Sequence, residues 1–173
     1  MKEAVQVYKY DAITTGQFCA VFATEDDENF GYPFWIGKVV STEDANDDEA
    51  SSNDDESNDF PHGLAKIHDY RQQANSKGEP NGKYMPHLAH GAKKGKSSAT
   101  TARKVTNEVG LEQIAYVFDG LTSGKTIPMT AKKEIAFYCE VAKRQKAYDC
   151  PGVEKFNNEL KLKYMPMDYE SAV

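Results

Sequence analysis

Few side chains in this chain have the type and spacing for chemistry. The first of them stands in GYPFWIGKVV, residues 31–40, which carries Trp35, the one tryptophan. Aromatic and β-branched residues at this density have the composition of a strand. Period-two alternation places Trp35, Gly37 and Val39 on one face. Gly37 supplies no side chain, so a neighbour or a ligand can approach the indole closely. The ring therefore packs, binds, or does both from the rim of a small barrel.

A second group lies in HGAKKGKSSATTARKVT, residues 90–106, which holds Lys93, Lys94, Lys96, Arg103 and Lys104 and no acid. With no aromatic interleaved, such a cluster contacts phosphate backbones without sequence preference, serves as a nuclear address, or only solvates a loop. Other candidates carry less. His87 and His90 are close in sequence, but Cys19, Cys139 and Cys150 have no compact spacing. No metal site and no disulfide framework is expected, and the thiols read as reduced. His62 and His68 read as surface residues. GLTSGKT, residues 120–126, has glycines one position too close for a phosphate-binding loop and reads as a turn. No Ser/His/Asp arrangement stands out, so neither catalytic residues nor a cofactor is expected.

Charge divides the chain. Residues 1–59 hold 15 acids and 3 bases, whereas residues 60–133 hold 12 bases and 5 acids. That asymmetry suggests a polyelectrolyte partner or self-association of opposite patches. No apolar window reaches the length of a membrane span, and MKEAVQVYKY lacks the apolar core of a secretory leader. An intracellular protein without membrane contact is expected.

The elements that would position these groups follow from pattern. QFCAVFA (17–23) and PFWIGKVV (33–40) read as strands joined through a polar tip. Residues 42–59 hold nine acids and no base, and read as a disordered acidic insertion. GLAKIHDY (63–70) alternates as a half-buried strand should. RQQANSKGEPNG reads as a polar loop, and KYMPHLA (83–89) as an edge strand limited by Pro86. EQIAYVFDGLT (112–122) is a fifth strand. TAKKEIAFYCEVAKRQKAY (130–148) places Ile135, Tyr138, Cys139 and Ala142 at helical spacing behind Thr130 as N-cap. Residues 153–164 read as a second short helix, and the last nine residues as frayed. The fold class is mainly β with a C-terminal helical part: a small five-stranded barrel over residues 1–122, with the acidic insertion 42–59 and the basic loop 90–106, then a helical appendage over residues 123–173.

Three segments read in order, GQFCAVFATEDD, FWIGKVV and AKIHDYRQ, carry a resemblance over residues 16–70. They resemble the first three strands of Tudor domains, members of the SH3-like chromatin-reader barrels. That pattern begins with a glycine, then a cysteine followed by apolar residues and an aromatic, then an acidic turn. Its second strand has an aromatic pair, a small residue and a β-branched residue, and its third ends in Asp-Tyr-Gly. Here the third strand reads Asp69-Tyr70, with Arg71 at the glycine position. Related barrels occur in chromodomain-like modules and at the C-terminus of integrases and transposases, including transposon-derived proteins.

The resemblance implies a Tudor-like, five-stranded SH3-like barrel in which Phe22, Trp35 and Tyr70 form an aromatic cage. Such a cage holds an alkylated cation by cation–π attraction, about 0.5–2 kcal/mol per contact. Asp69 would accept a hydrogen bond from an incompletely methylated ammonium. The implied function is a nuclear, chromatin-associated module that binds a basic, histone-like protein tail, methylated on lysine or arginine. The alternatives are a DNA- or RNA-binding accessory domain acting through Lys93, Lys94, Lys96, Arg103 and Lys104, and an interaction scaffold with no cage.

Overall fold

The structure is a computed structural model that describes residues 13–44, 63–89 and 103–162. The elements are β1 (Phe18–Phe22), β2 (Phe34–Asp44), β3 (Gly63–Ala74), β4 (Pro80–Pro86), β5 (Leu88–Ala89), β6 (Arg103–Lys104), β7 (Thr106–Gly110), a 3-10 turn (Leu111–Gln113), β8 (Ile114–Phe118), α1 (Met129–Arg144) and α2 (Val153–Glu159). β1 to β4 form an antiparallel meander, and β8 returns to pair with β1, giving the order β4-β3-β2-β1-β8. The fold is thus mainly β with two helices. The five expected strands correspond to β1, β2, β3, β4 and β8.

Two further strands, β6 and β7, were not expected, and the strand expected over 83–89 is divided between β4 and β5. β7 pairs with the first half of β3, from Leu64↔Gly110 to His68↔Thr106, while β4 pairs with its second half, from Tyr70↔Pro86 to Ala74↔Pro80. The handover falls at Asp69, whose N–H donates to the Val105 carbonyl at 3.0 Å and whose carbonyl accepts the His87 N–H at 2.8 Å. Between those two points the chain leaves the sheet as the β5–β6 stem, with Ala89 opposite Arg103. Arg103, Lys104 and Thr106 are therefore strand residues, where a loop was expected.

Two other boundaries differ from the sequence reading. β2 continues through Thr42, Glu43 and Asp44, the first residues of the acidic stretch, because they face Ala65, Leu64 and Gly63 and because Glu43 pairs with Lys66 at 2.9 Å. Residues 45–59 of that stretch lie outside the described residues. RQQANSKGEPNG is not a long loop. β3 runs to Ala74, and Asn75 closes a tight hairpin by accepting the N–H groups of Lys77 and Glu79 on Oδ1, at 2.9 and 3.0 Å.

Alternation along the strands sorts the apolar residues onto two faces. Phe18, Ala20, Phe22, Phe34 and Ile36 point toward the helices and share one core with Ile135, Ala136, Cys139 and Phe156. Cys19, Val21, Val39, Ala65, Ile67, Val109 and Ile114 form a second cluster on the opposite face, against which Trp35 packs. An extra residue at Val40 shifts the β2–β3 register, and such a bulge adds the local twist that curls a sheet.

α1 follows from a stripe of Ala131, Ile135, Cys139 and Ala142, all buried. Its N-cap is Pro128 and not Thr130. Proline has φ fixed for a helix start, and its carbonyl accepts the Lys132 N–H at 2.9 Å. Lys143 and Arg144 in the last turn suit the negative end of the helix dipole. The β1–β2 tip is clamped to α2: Lys155 Nζ donates to the Phe30 carbonyl at 3.0 Å, and the Tyr32 hydroxyl donates to Glu159 at 2.8 Å. The three cysteines are free and buried, and burial pushes the Cys19 thiol up to about 12.

Candidate functional site

A cleft of about 430 Å³ opens where the β1–β2 tip, the start of β2, the end of β3 and the entry to β7 meet. Four carboxylates border it, Asp27, Glu28, Asp69 and Glu108, against the single guanidinium of Arg71. Trp35 and Tyr70 supply ring surface. The volume lies in the range of ligand pockets.

Asp69 is the most constrained of these groups. Its register partner is Gly37, which puts it on the Trp35 face, and it is 8% exposed. Its Oδ2 accepts from Arg71 Nε at 3.2 Å and lies 2.8 Å from His87 Nδ1. Both contacts fall on Oδ2, and among the described residues Oδ1 accepts no hydrogen bond. Arg71 reaches on to Glu28, with Nη1 3.1 Å from Oε2. Asp27 is tied into its own turn, its Oδ2 accepting the Thr24 N–H at 2.7 Å. Gln72 also borders the cleft; its Nε2 donates to the Tyr84 hydroxyl at 3.1 Å, and its buried Oε1 has no hydrogen-bond partner.

Trp35 is half-buried and leans over Gly37. A Cβ built on Gly37 would lie 3.3 Å from Trp35 Cζ3 and would overlap Ile67 Cγ2. The space that glycine leaves open is therefore filled by a neighbour, Ile67, and by the indole itself. Tyr70 directs its ring to the helix-covered face, edge-on to Phe18 with centroids 5.0 Å apart, and still borders the cleft. Burial raises its hydroxyl pKa.

Of the four residues expected to bind a ligand, the structure brings Trp35, Asp69 and Tyr70 to one cleft and leaves Phe22 out of it. Phe22 pairs with Phe34, so its side chain points under the helices, where it stacks on Tyr148 with centroids 4.4 Å apart. Of the expected phosphate contacts, Arg103 and Lys104 are exposed on β6, while Lys93, Lys94 and Lys96 lie outside the described residues. Burial first, then the charges of Lys104 and Lys38, hold the His68 imidazole below its ordinary pKa. Sequence reasoning missed Asp27, Glu28 and Glu108 as cleft residues. The signal available was the acidic run TEDDEN, which read as a polar turn with no indication that it faces β3.

Among the described residues no group of three or more His, Cys, Asp and Glu side chains is placed to hold a metal ion, and no helix is long and apolar enough to cross a membrane. What fold and cleft define is a class: an antiparallel, mainly β fold with two helices on one face and an acidic, aromatic-edged cleft beside the sheet. Comparison with protein-family models, with curated proteins and with solved structures finds no match to the chain.

Proposed function

We propose that this chain is a recognition module of the Tudor-like, SH3-like kind, which takes a basic side chain of a protein tail, unmodified or methylated, into the cleft between Trp35 and Asp69. The observation that carries this is the four-to-one excess of carboxylates over guanidinium around a cleft edged by aromatic rings. Such a site attracts a cation by field and holds it by the Trp35 ring and by the Asp69 carboxylate. A barrel-like closure is supported by two connections. The chain from β7 crosses through the 3-10 turn to β8, passing from the β3 side to the β1 side, and the Tyr84 N–H of β4 donates to the Lys125 carbonyl beyond β8 at 2.8 Å. A nuclear, chromatin-associated, non-enzymatic role follows from the same reading.

The test is a titration with short basic peptides carrying one unmodified or one trimethylated lysine. Binding should weaken as salt rises, and Asp69→Asn should lower affinity by about tenfold with the fold intact. If neither peptide binds, or if Asp69→Asn changes nothing, the cleft does not serve this role.

A nucleic-acid reading has one observation in its favour, the adjacent exposed cations Arg103 and Lys104 on β6. Arg103 and Lys104 would then touch phosphates, and each phosphate contact adds about 0.9 to the slope of log affinity against log salt. Tight duplex binding whose salt slope falls when Lys38, Arg103 and Lys104 are neutralised would put this reading in place of the first.

A further inference from the structure

We propose that Cys139 and Cys150 are a dithiol modification site, which a small hydroperoxide converts into a disulfide joining α1 to the start of α2. The site is separate from the cleft and does not depend on what the cleft binds. All three cysteines are free. The fold sorts them into a pair and an isolated member. Cys139 and Cys150 share the helix-covered core, at 0% and 1% exposure, whereas Cys19 belongs to the cluster on the opposite face of the sheet.

The linker between the helices makes the pair. α1 ends at Arg144, and the chain folds back over its last turn, where the Ala147 N–H donates to the Ala142 carbonyl at 3.0 Å. Tyr148 then stacks on Phe22, and its hydroxyl donates to the Glu112 carbonyl at 2.7 Å. On the other side of Cys150, Gly152 lies against the Gly31 carbonyl. Cys150 is thus held from both directions where its thiol and that of Cys139 hydrogen-bond to each other.

The two sulfurs are unequal, which sets the order of reaction. The bond from Cys139 holds the Cys150 thiol below its ordinary pKa, against the opposing effect of burial, while burial and then Cys150 itself push Cys139 up. The thiolate is the nucleophile, so Cys150 reacts first. Its sulfur bonds one peroxide oxygen and the O–O bond breaks. The hydroxide released takes up the proton that the thiol gave and leaves as water, and Cys150 becomes a sulfenic acid. The Cys139 sulfur then attacks the Cys150 sulfur. The S–S bond forms, the S–O bond breaks, and hydroxide leaves with the Cys139 proton as a second water. Two thiols are oxidised by two electrons, and one peroxide is reduced to two waters. Lys146, Ala147 and Asp149 are exposed around the buried Cys150, so local opening of this linker admits the oxidant without unfolding the sheet.

The experiment treats the reduced full chain with hydrogen peroxide, blocks the remaining thiols by alkylation and maps the peptides by mass spectrometry. The expected result is a Cys139–Cys150 link lighter by two hydrogens, reversed by a thiol reductant, with Cys19 alkylated and the free thiols reduced from three to one. In Cys150→Ala, Cys139 should be consumed about tenfold more slowly, because the attacking thiolate is gone. Survival of all three thiols in the unaltered chain overturns the proposal. So does loss of all three at one rate, a link through Cys19 or between separate chains, or a Cys139–Cys150 link that forms only in urea. Oxidation of Cys139 in Cys150→Ala as fast as in the unaltered chain overturns the assigned order of reaction.

Discussion

Gly152→Ala should cost about 4 kcal/mol of folding stability. Gly152 is the N-cap of α2 and sits at φ +76°, in the left-handed region, where a Cβ is strained by about 1–2 kcal/mol. A Cβ there would also overlap the carbonyl oxygen of Gly31 and approach Tyr32 Cα at 3.6 Å. Backbone cannot rotate away as a side-chain tip can, so the overlap must separate the β1–β2 tip from α2, and overpacking of this kind adds about 1–3 kcal/mol. The tip has little freedom to yield. Phe30 and Gly31 are themselves held at positive φ, Lys155 binds the Phe30 carbonyl, and Tyr32 packs edge-on to Phe156 with centroids 5.5 Å apart. Urea unfolding of the two proteins measures the difference. An unchanged midpoint would mean that the tip and α2 do not touch as described.

The second large effect is expected at the centre of the sheet. Gly37→Ala should cost about 3 kcal/mol, because the new methyl group meets Ile67 Cγ2 in a fully buried position, with the His68 carbonyl and Trp35 Cζ3 each 3.3 Å away. Ile67 is β-branched, so no rotamer moves its γ carbons far. Trp35 should be displaced as well, and its fluorescence should shift toward the emission of a more exposed indole. A double-mutant cycle isolates the contact: Ile67→Ala removes the obstructing methyl, so the pair should be less destabilised than the sum of the single changes. Additive losses would show that Gly37 is required for some other reason.

Much of this arrangement was legible in the sequence, and the exceptions have physical causes. FCAVF, FWIGKVV and IAYVF are dense in aromatic and β-branched residues, and the α1 stripe repeats at helical spacing, so these elements announce themselves locally. β7 does not. TNEVG has only Val109 and Gly110 buried, and it is a strand because the first half of β3 leaves an edge for it to pair with. Such a non-local cause leaves no periodicity to read. The end of β3 was hidden in the same way: Arg71, Gln72, Gln73 and Ala74 are polar or small, yet they are held by pairing with β4. Of the residues that border the cleft, Trp35, Asp69 and Tyr70 were singled out through the resemblance. Phe22 was misplaced because the resemblance carries position along a strand but not the side to which the helices pack. Glu28 and Glu108 come from segments distant in sequence, and only the folded chain sets them beside Asp69.

The handover at Asp69 gives the molecule a place where it can be lengthened. β3 acts as a continuous template, read by β4 up to His87 and by β7 from Val105, and the ladder resumes in register whatever the chain does between those two points. Ala89 and Arg103 are opposite one another in an antiparallel pair, so their Cα atoms are about 5 Å apart. A span that leaves and re-enters at so narrow a gap resembles a graft on a stem: its length and composition can vary with an entropic cost that grows only as a logarithm. A protein engineer could therefore enter the chain between residues 89 and 103, to add a charged tail, an epitope or a second folded unit, while the β3 ladder on either side keeps its register.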